Sequence, residues 1–291
     1  MTPTRRTTSL ERLVWQTTLA QMVAEFTVPT LASGARSAAK RTSASVPSPM
    51  ILVGDCLEQM AKIESESIDC VVTSPPYNKK GLSGKQAVTN QIWQRFNIDY
   101  SQYGDNMLEE DYRLFMIAVL KELHRVIKPN GSIFFNHKPR RFQNRCYLPT
   151  DFISSSEVNI YQLIIWNRHN SPNIRNDILV PCTEHIYWLV KDKPKTFRKA
   201  IGSQYQSEVW DIPPSRDKAH PASFPEQLVE NCVRLTTNEG DTVLDPFLGS
   251  GTVAVVAKRN RRKWVGIEID PEYVAIAEAR IASAQPEMEL F

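Results

Sequence analysis

From Met50 onward the chain alternates short apolar runs with longer amphipathic ones, and this alternation constrains the fold more than any other property of the sequence. Residues 50–53, 68–73, 132–136, 161–166, 186–190, 242–244 and 264–267 have the length and the β-branched or aromatic content of strands. Several are apolar on both alternating faces, as strands covered by helices on either side are. Residues 58–63, 110–127, 226–235, 251–259 and 271–284 carry helical spacing. Pro129-Asn130-Gly131 marks the end of the second helix and Pro271 the start of the last. Strand and helix in turn make βαβ units, so the expected fold is α/β, with a doubly wound, mostly parallel sheet. In such sheets ligands lie beyond the carboxyl ends of the strands.

Composition narrows the class. The longest apolar stretches, 160–166 and 242–248, are strand-sized, well short of the ~18 residues that a membrane helix needs. No membrane partner is expected. Cys56, Cys70, Cys146, Cys182 and Cys232 are scattered, with no C-x-x-C pair and no histidine at ligand spacing. That predicts reduced thiols, a cytoplasmic location and no metal centre. The overall charge of +3 is unevenly spread: residues 1–49 carry +4 and 137–219 carry +5, against −2 for 50–136 and −4 for 220–291. Positive charge gathered in the N-terminal arm and one central region suits a face that meets a polyanion.

The first 49 residues differ from the rest. Residues 10–26 place Leu10, Leu13, Val14, Met22, Val23 and Phe26 near helical spacing, and 29–49 are a Ser-, Ala- and Pro-rich linker. The expected organisation is an arm and linker over 1–49 followed by one domain over 50–291. The arm's apolar stripe cannot be buried by a lone helix of that length, so it must pack on its own core or on a partner. Residues 79–107, glycine-bearing and without a period, are too long for a plain connection and suit a lid.

Two motifs carry chemistry. Ser74-Pro75-Pro76-Tyr77 follows the 68–73 strand and would hang into the cleft. Two prolines fix φ and carry no N–H, so their carbonyls accept without a competing donor. An exocyclic amine of a nucleobase is a poor nucleophile because its lone pair is delocalised into the ring. Accepting its N–H groups on the Ser74 hydroxyl and the Pro75 carbonyl would oppose that delocalisation, while the Tyr77 ring offers a stacking surface. The second motif is Asp245-Pro246-Phe247-Leu248-Gly249-Ser250-Gly251-Thr252, between a strand and a helix, with Glu268 at the end of the next strand. It has neither G-x-G-x-x-G nor a P-loop lysine, so pyrophosphate is disfavoured. An acid some 20 residues past a glycine turn grips a ribose diol, and a nucleoside without phosphates points to S-adenosylmethionine.

These motifs, with Gly54-Asp55-Cys56-Leu57 upstream and His220-Pro221-Ala222-Ser223-Phe224-Pro225 before the glycine loop, resemble the amino-methyltransferases of DNA. The S-P-P-Y turn precedes the glycine loop by about 170 residues, the order of the permuted β group. The resemblance covers residues 50–284. It implies S-adenosyl-L-methionine as cofactor, double-stranded DNA as substrate with base flipping, a restriction–modification setting, a nucleoid-associated location and, since many permuted members dimerise, a homodimer. Ser74, Pro75, Pro76 and Tyr77 would be catalytic. Asp245, Phe247, Gly249 and Gly251 would line the cofactor cleft, Glu268 would hold the ribose, Asp55 would sit near the adenine amine and Phe224 near the methionine end. Asp55 is equally a helix cap and Phe224 equally a core residue. Serine at position 74 looks like the cytosine-N4 subgroup, with N6 of adenine as the alternative and a non-catalytic DNA-binding relic as a third reading. Lys138, Arg140, Arg141, Arg145 and Arg168 would contact phosphates, and loops within 79–107 and 167–219 would read the target.

Overall fold

A computed structural model describes residues 49–78, 107–142, 144–169, 176–198, 207–215 and 224–286, all within the compact unit Ala44–Phe291. The arm, the linker and most of the expected lid lie outside the described residues.

The first strand, β1 (Met50–Val53), leads through Gly54 to Asp55, whose carboxylate caps α1 (Cys56–Met60). Then come β2 (Ile68–Thr73), α2 (Glu109–Val126) and β3 (Ile127–His137). A small ribbon of β4 (Arg140–Phe142) and β5 (Arg145–Tyr147) leads to α3 (Thr150–Ile153), β6 (Asn159–Asn167), β7 (Thr183–Val190) and β8 (Val209–Asp211). The chain closes with α4 (Glu226–Thr236), β9 (Thr242–Asp245), α5 (Thr252–Arg259), β10 (Lys263–Glu268) and α6 (Pro271–Ser283). Eight strands form one sheet in the order β1-β10-β9-β2-β3-β7-β6-β8. The five from β1 to β3 are parallel, β7 runs antiparallel between β3 and β6, and β8 is parallel to β6.

Strand alternation divides the core between the two faces. Val71, Ile133, Phe135 and Leu244 pack with α1, α2 and α3, whereas Cys70, Val72, Phe134 and Val243 pack with α4, α5 and α6. Phe134 and Phe135 are adjacent in sequence, point to opposite faces and are both fully buried. Each such side chain contributes roughly 1.5–3 kcal/mol on burial. The expected doubly wound α/β fold is what the chain adopts.

The departures from expectation have local causes. α2 stops at Val126 because Pro129 excludes the helical region for Lys128, and the chain extends at once, Ile127 having ψ 139°. Pro129-Asn130-Gly131 therefore lies inside β3 rather than ending a helix before it. At Gly131 a side chain would come within 2.8 Å of the Asp69 carbonyl, so this crossing needs glycine. Within 167–219, β7 includes the expected strand at 186–190, β8 is a further strand of the sheet, and residues 170–175, 199–206 and 216–219 lie outside the described residues. The ribbon, α3 and β8 are too short to show a period.

The chain leaves β2 toward β3 on one side and leaves β9 toward β10 on the other. The carboxyl ends of β2 and β9 are neighbours, so the two connections diverge and open a crevice between them. On one side of it, Gly251 begins α5 at φ 83°, and a Cβ there would meet the Ala277 Cβ at 3.0 Å and its Cα at 3.2 Å. Gly251→Ala is expected to destabilise the protein by about 1–3 kcal/mol, from left-handed strain and crowding of α6, read as a lowered urea midpoint at unchanged slope.

Candidate active site

The crevice is closed at its base by one hydrogen bond. Thr73, the last residue of β2 and wholly buried, donates its hydroxyl to Asp245 Oδ1 at the end of β9, 2.9 Å away. The same oxygen accepts from the Phe247 N–H at 3.0 Å, which turns the chain into the glycine loop. Burial pushes the Asp245 carboxyl up to about 7, the two hydrogen bonds oppose the shift, and the nearby Glu268 adds to it.

Glu268 sits at the end of β10 and is the hub of the loop. Its Oε2 accepts from the Gly249 N–H at 2.7 Å, and its Oε1 from the Ile269 and Asp270 N–H groups, both at 2.9 Å. Burial raises its pKa against these three bonds. Asp55 stands at the end of the adjoining strand, tied in by a 2.9 Å bond from the Gly54 N–H to the Glu268 carbonyl. Its Oδ1 accepts from Leu57 and Glu58 N–H at 2.8 and 3.2 Å, so the cap reading of Asp55 is the one its contacts display. Phe247 packs on the α2 side, edge-on to Phe115 at 6.5 Å, and half-buried Phe224 packs on the core of the opposite face. The core reading of Phe224 thus describes its contacts.

Asp245, Gly249, Gly251, Glu268 and Asp55 are brought together along the ends of β9, β10 and β1. The two buried acids share one neighbourhood, and among the described residues no cation is a cause of the shift of either. A site of that character favours a cationic ligand that carries hydroxyls, because the cation lowers the cost of ionising both acids. S-adenosylmethionine, a sulfonium with a ribose diol, fits this donor and acceptor set.

The S-P-P-Y turn crosses the other side of the crevice. The Pro76 carbonyl accepts from the Tyr112 hydroxyl at 2.7 Å, and Tyr112 Oη lies 2.8 Å from His137 Nε2. The Tyr77 ring lies 4.5 Å from the His137 ring, tilted by 38°. Asn78 closes the turn at φ 50°, donating to the Met107 carbonyl at 3.0 Å. Tyr77 Oη is the centre of a partly buried network. Ser74 Oγ lies 2.8 Å from it, Asn136 Nδ2 donates to it at 2.7 Å, and it donates to Glu184 Oε2 at 3.1 Å. Arg168 Nη1 holds the other Glu184 oxygen at 2.7 Å.

Sequence reasoning missed Asn136, His137, Tyr112 and Glu184. Asn136 and His137 end β3 beside the S-P-P-Y turn, and a search for polar residues finishing apolar strands would have found them. Glu184 gives no such signal, since it begins β7 and reaches this edge only because β7 runs antiparallel. Two residues expected at phosphates are engaged by carboxylates within the protein. Arg140 is buried, forked onto Glu109 at 2.7 and 2.5 Å, with its guanidinium 4.6 Å from the Tyr112 ring centre, and Arg168 is committed to Glu184. Arg141 and Arg145 are exposed, as expected.

Among the described residues no cluster of three or more histidines, cysteines or acids could hold a metal, and no helix is long and apolar enough to cross a membrane. Residues 68–279 match the model of the N6/N4 DNA methylase family. The chain belongs to that family. This DNA methylase is 30% identical to the type II methyltransferase M.HinfI of Haemophilus influenzae over 262 residues, 81% of this chain and 69% of that one. It is 28% identical to M2.DpnII of Streptococcus pneumoniae, over 80% of this chain and 89% of that one. The solved PvuII DNA methyltransferase shares the fold at TM-score 0.65 and 23% identity, covering 81% and 87% of the two chains. A putative DNA modification methylase of Thermus thermophilus, solved in complex with S-adenosyl-L-methionine, superposes at TM-score 0.58 with 26% identity, over 82% of this chain and 95% of that one. The methylase is thus a DNA amino-methyltransferase of restriction–modification type that uses S-adenosyl-L-methionine.

The Asp245 shift has a measurable consequence for the methylase. A carboxyl held at about 7 in the folded state keeps a proton that the unfolded chain releases near its ordinary value of 3.8. Its contribution to stability is therefore fully present below about pH 4 and is lost as pH rises through 7. The cofactor-free methylase should lose thermal stability between pH 5 and 7 more steeply than its Asp245→Asn variant, which has no such titration. Parallel melting curves of the two proteins would place the excess slope elsewhere.

Proposed function

We propose that this DNA methyltransferase acts on N4 of cytosine in double-stranded DNA, with the target base turned out of the helix into the crevice between β2 and β9. The observation that carries the base choice is the neutral hydroxyl of Ser74 at the head of the turn, the residue found in the cytosine-N4 subgroup that this sequence resembles. Extruding a base costs a few kcal/mol, and the Tyr77 ring, backed by His137, offers a stacking surface that offsets part of it.

In this reading Ser74 Oγ and the Pro75 carbonyl accept the two N–H groups of the amine, turning its lone pair out of conjugation. The Pro76 carbonyl is engaged by Tyr112 and serves to hold the turn in shape. Glu268 and Asp245 receive the ribose hydroxyls and the positive charge of the cofactor, with Asp55 and Phe224 at its adenine and methionine ends and Phe247, Gly249 and Gly251 shaping the cleft. Bound there, S-adenosylmethionine supplies an electrophilic methyl group on sulfur. Exposed Arg141 and Arg145 lie beyond the end of β3, where contacts to phosphate would fix the position of the duplex without reading its sequence. Arm and linker stand outside this chemistry, and the homodimer that the family resemblance implies belongs to the same proposal.

Duplex DNA incubated with the protein and labelled cofactor, then digested to nucleosides, should yield N4-methylcytosine. N6-methyladenine as the only product would transfer the assignment to adenine, and binding of DNA without any product would favour the relic. Tyr77→Ala should lower the methylation rate by the ~1–3 kcal/mol that stacking contributes per base while cofactor affinity holds. Glu268→Ala should do the reverse, weakening cofactor affinity at least tenfold for a lost charged hydrogen bond of roughly 1.5–3 kcal/mol. Deleting residues 1–49 should reduce the mass in solution but spare methylation. Loss of cofactor binding in the truncated protein would show that the arm completes the site.

A further inference from the structure

A serine hydroxyl differs from a carboxylate oxygen in a way that matters for this reaction, because it donates as well as accepts. An amine is activated by accepting its N–H protons. A serine that aims its own proton at the amine would instead tie up the lone pair that must attack. Using Ser74 therefore requires its proton to be committed elsewhere, and the network around Tyr77 shows where.

We propose that Glu184 is a positioning residue for the methyl transfer, fixing the direction of the Ser74–Tyr77 hydrogen bond so that Ser74 offers only lone pairs to the substrate amine. The proposal rests on the reading of Ser74 as the acceptor of that amine. Glu184, an acceptor-only carboxylate paired with Arg168 at 2.7 Å, takes the single phenolic proton of Tyr77 across 3.1 Å. Asn136 donates one amide nitrogen to both partners, 2.7 Å to Tyr77 Oη and 2.9 Å to Glu184 Oε2. Turned over, its carbonyl oxygen would face the carboxylate, so the amide orientation is fixed as well. With its proton on Glu184, Tyr77 Oη can only accept from Ser74, and the 2.8 Å contact between them is a bond only if Ser74 donates. One consistent set of proton positions satisfies all of these contacts. The Glu184 side chain is 8% exposed, so water does not compete for its oxygens.

Two variants of the full-length protein test the chain of bonds. Tyr77→Phe removes one oxygen and keeps the stacking ring. Glu184→Gln is nearly isosteric, but its amide can donate to Tyr77 Oη and release the phenolic proton toward Ser74. Each should lower the single-turnover methylation rate roughly tenfold or more, with KM for duplex DNA and Kd for S-adenosylmethionine unchanged. Because the residues act in series, the double variant should be no slower than the slower single one. Losses that multiply would overturn the proposal. So would a Tyr77→Phe protein that turns over at the wild-type rate, a result that decides the matter even if Glu184→Gln does not fold. A wild-type protein that leaves no methylated amine in duplex DNA would overturn the reading of Ser74 itself. A methylating wild type beside fully active variants would remove only the role given to Glu184.

Discussion

The hydrogen bond from Thr73 to Asp245 is the contact on which the rest of the site depends. Its partners are 172 residues apart in the chain, and each ends a strand immediately before a functional turn. Thr73 leads into the S-P-P-Y turn and Asp245 into the glycine loop, so the bond sets the spacing between the turn that would hold the methyl acceptor and the loop that would hold its donor. A buried polar pair is costly unless satisfied, and here both the hydroxyl and the carboxyl oxygen have partners. The parallel pairing of β2 with β9 sets the register that lets the two side chains meet.

Much of this was legible in the residues themselves. The apolar runs announced the parallel strands, and the two turns announced their own chemistry because each is a contiguous string of unusual residues at a strand end. Asp55 and Phe224 show where a string is ambiguous, since a carboxylate before a helix and a phenylalanine before a proline have structural uses that compete with functional ones. Arg140 shows the limit of reading charge as surface. A guanidinium forked onto Glu109 and stacked on Tyr112 is part of the scaffold, and nothing in the local sequence separates it from exposed Arg141. Glu184 was hidden for a topological reason. The side of the sheet on which a strand's first residues emerge depends on its direction, and direction is set by pairing with β3 and β6 rather than by the strand's own residues.

The two walls of the crevice handle buried charge differently. On the wall of the glycine loop Asp245 and Glu268 are raised by burial with no cation among the described residues to relieve them, so a cationic ligand there would lower the cost of ionising them. On the catalytic side Glu184 is matched by Arg168 within the protein. Under the proposed function the first wall would take the cofactor's positive charge, and the second, with Glu184 matched by Arg168, would serve as a hydrogen-bond frame for an uncharged base.

The glycine loop is pinned by more than its polar contacts. Leu248 is buried over Gly266 of β10, where any Cβ would come within 2.6 Å of its methyl carbon, and its N–H bonds to the Ile267 carbonyl at 2.9 Å. The side chain works as a rivet driven through the loop into the sheet. A riveted loop cannot swing aside to exchange a spent ligand for a fresh one without breaking into the hydrophobic core. Traffic through the crevice must then be governed by its opposite wall or by its open rim, which makes the glycine loop the jamb of this doorway and not its door.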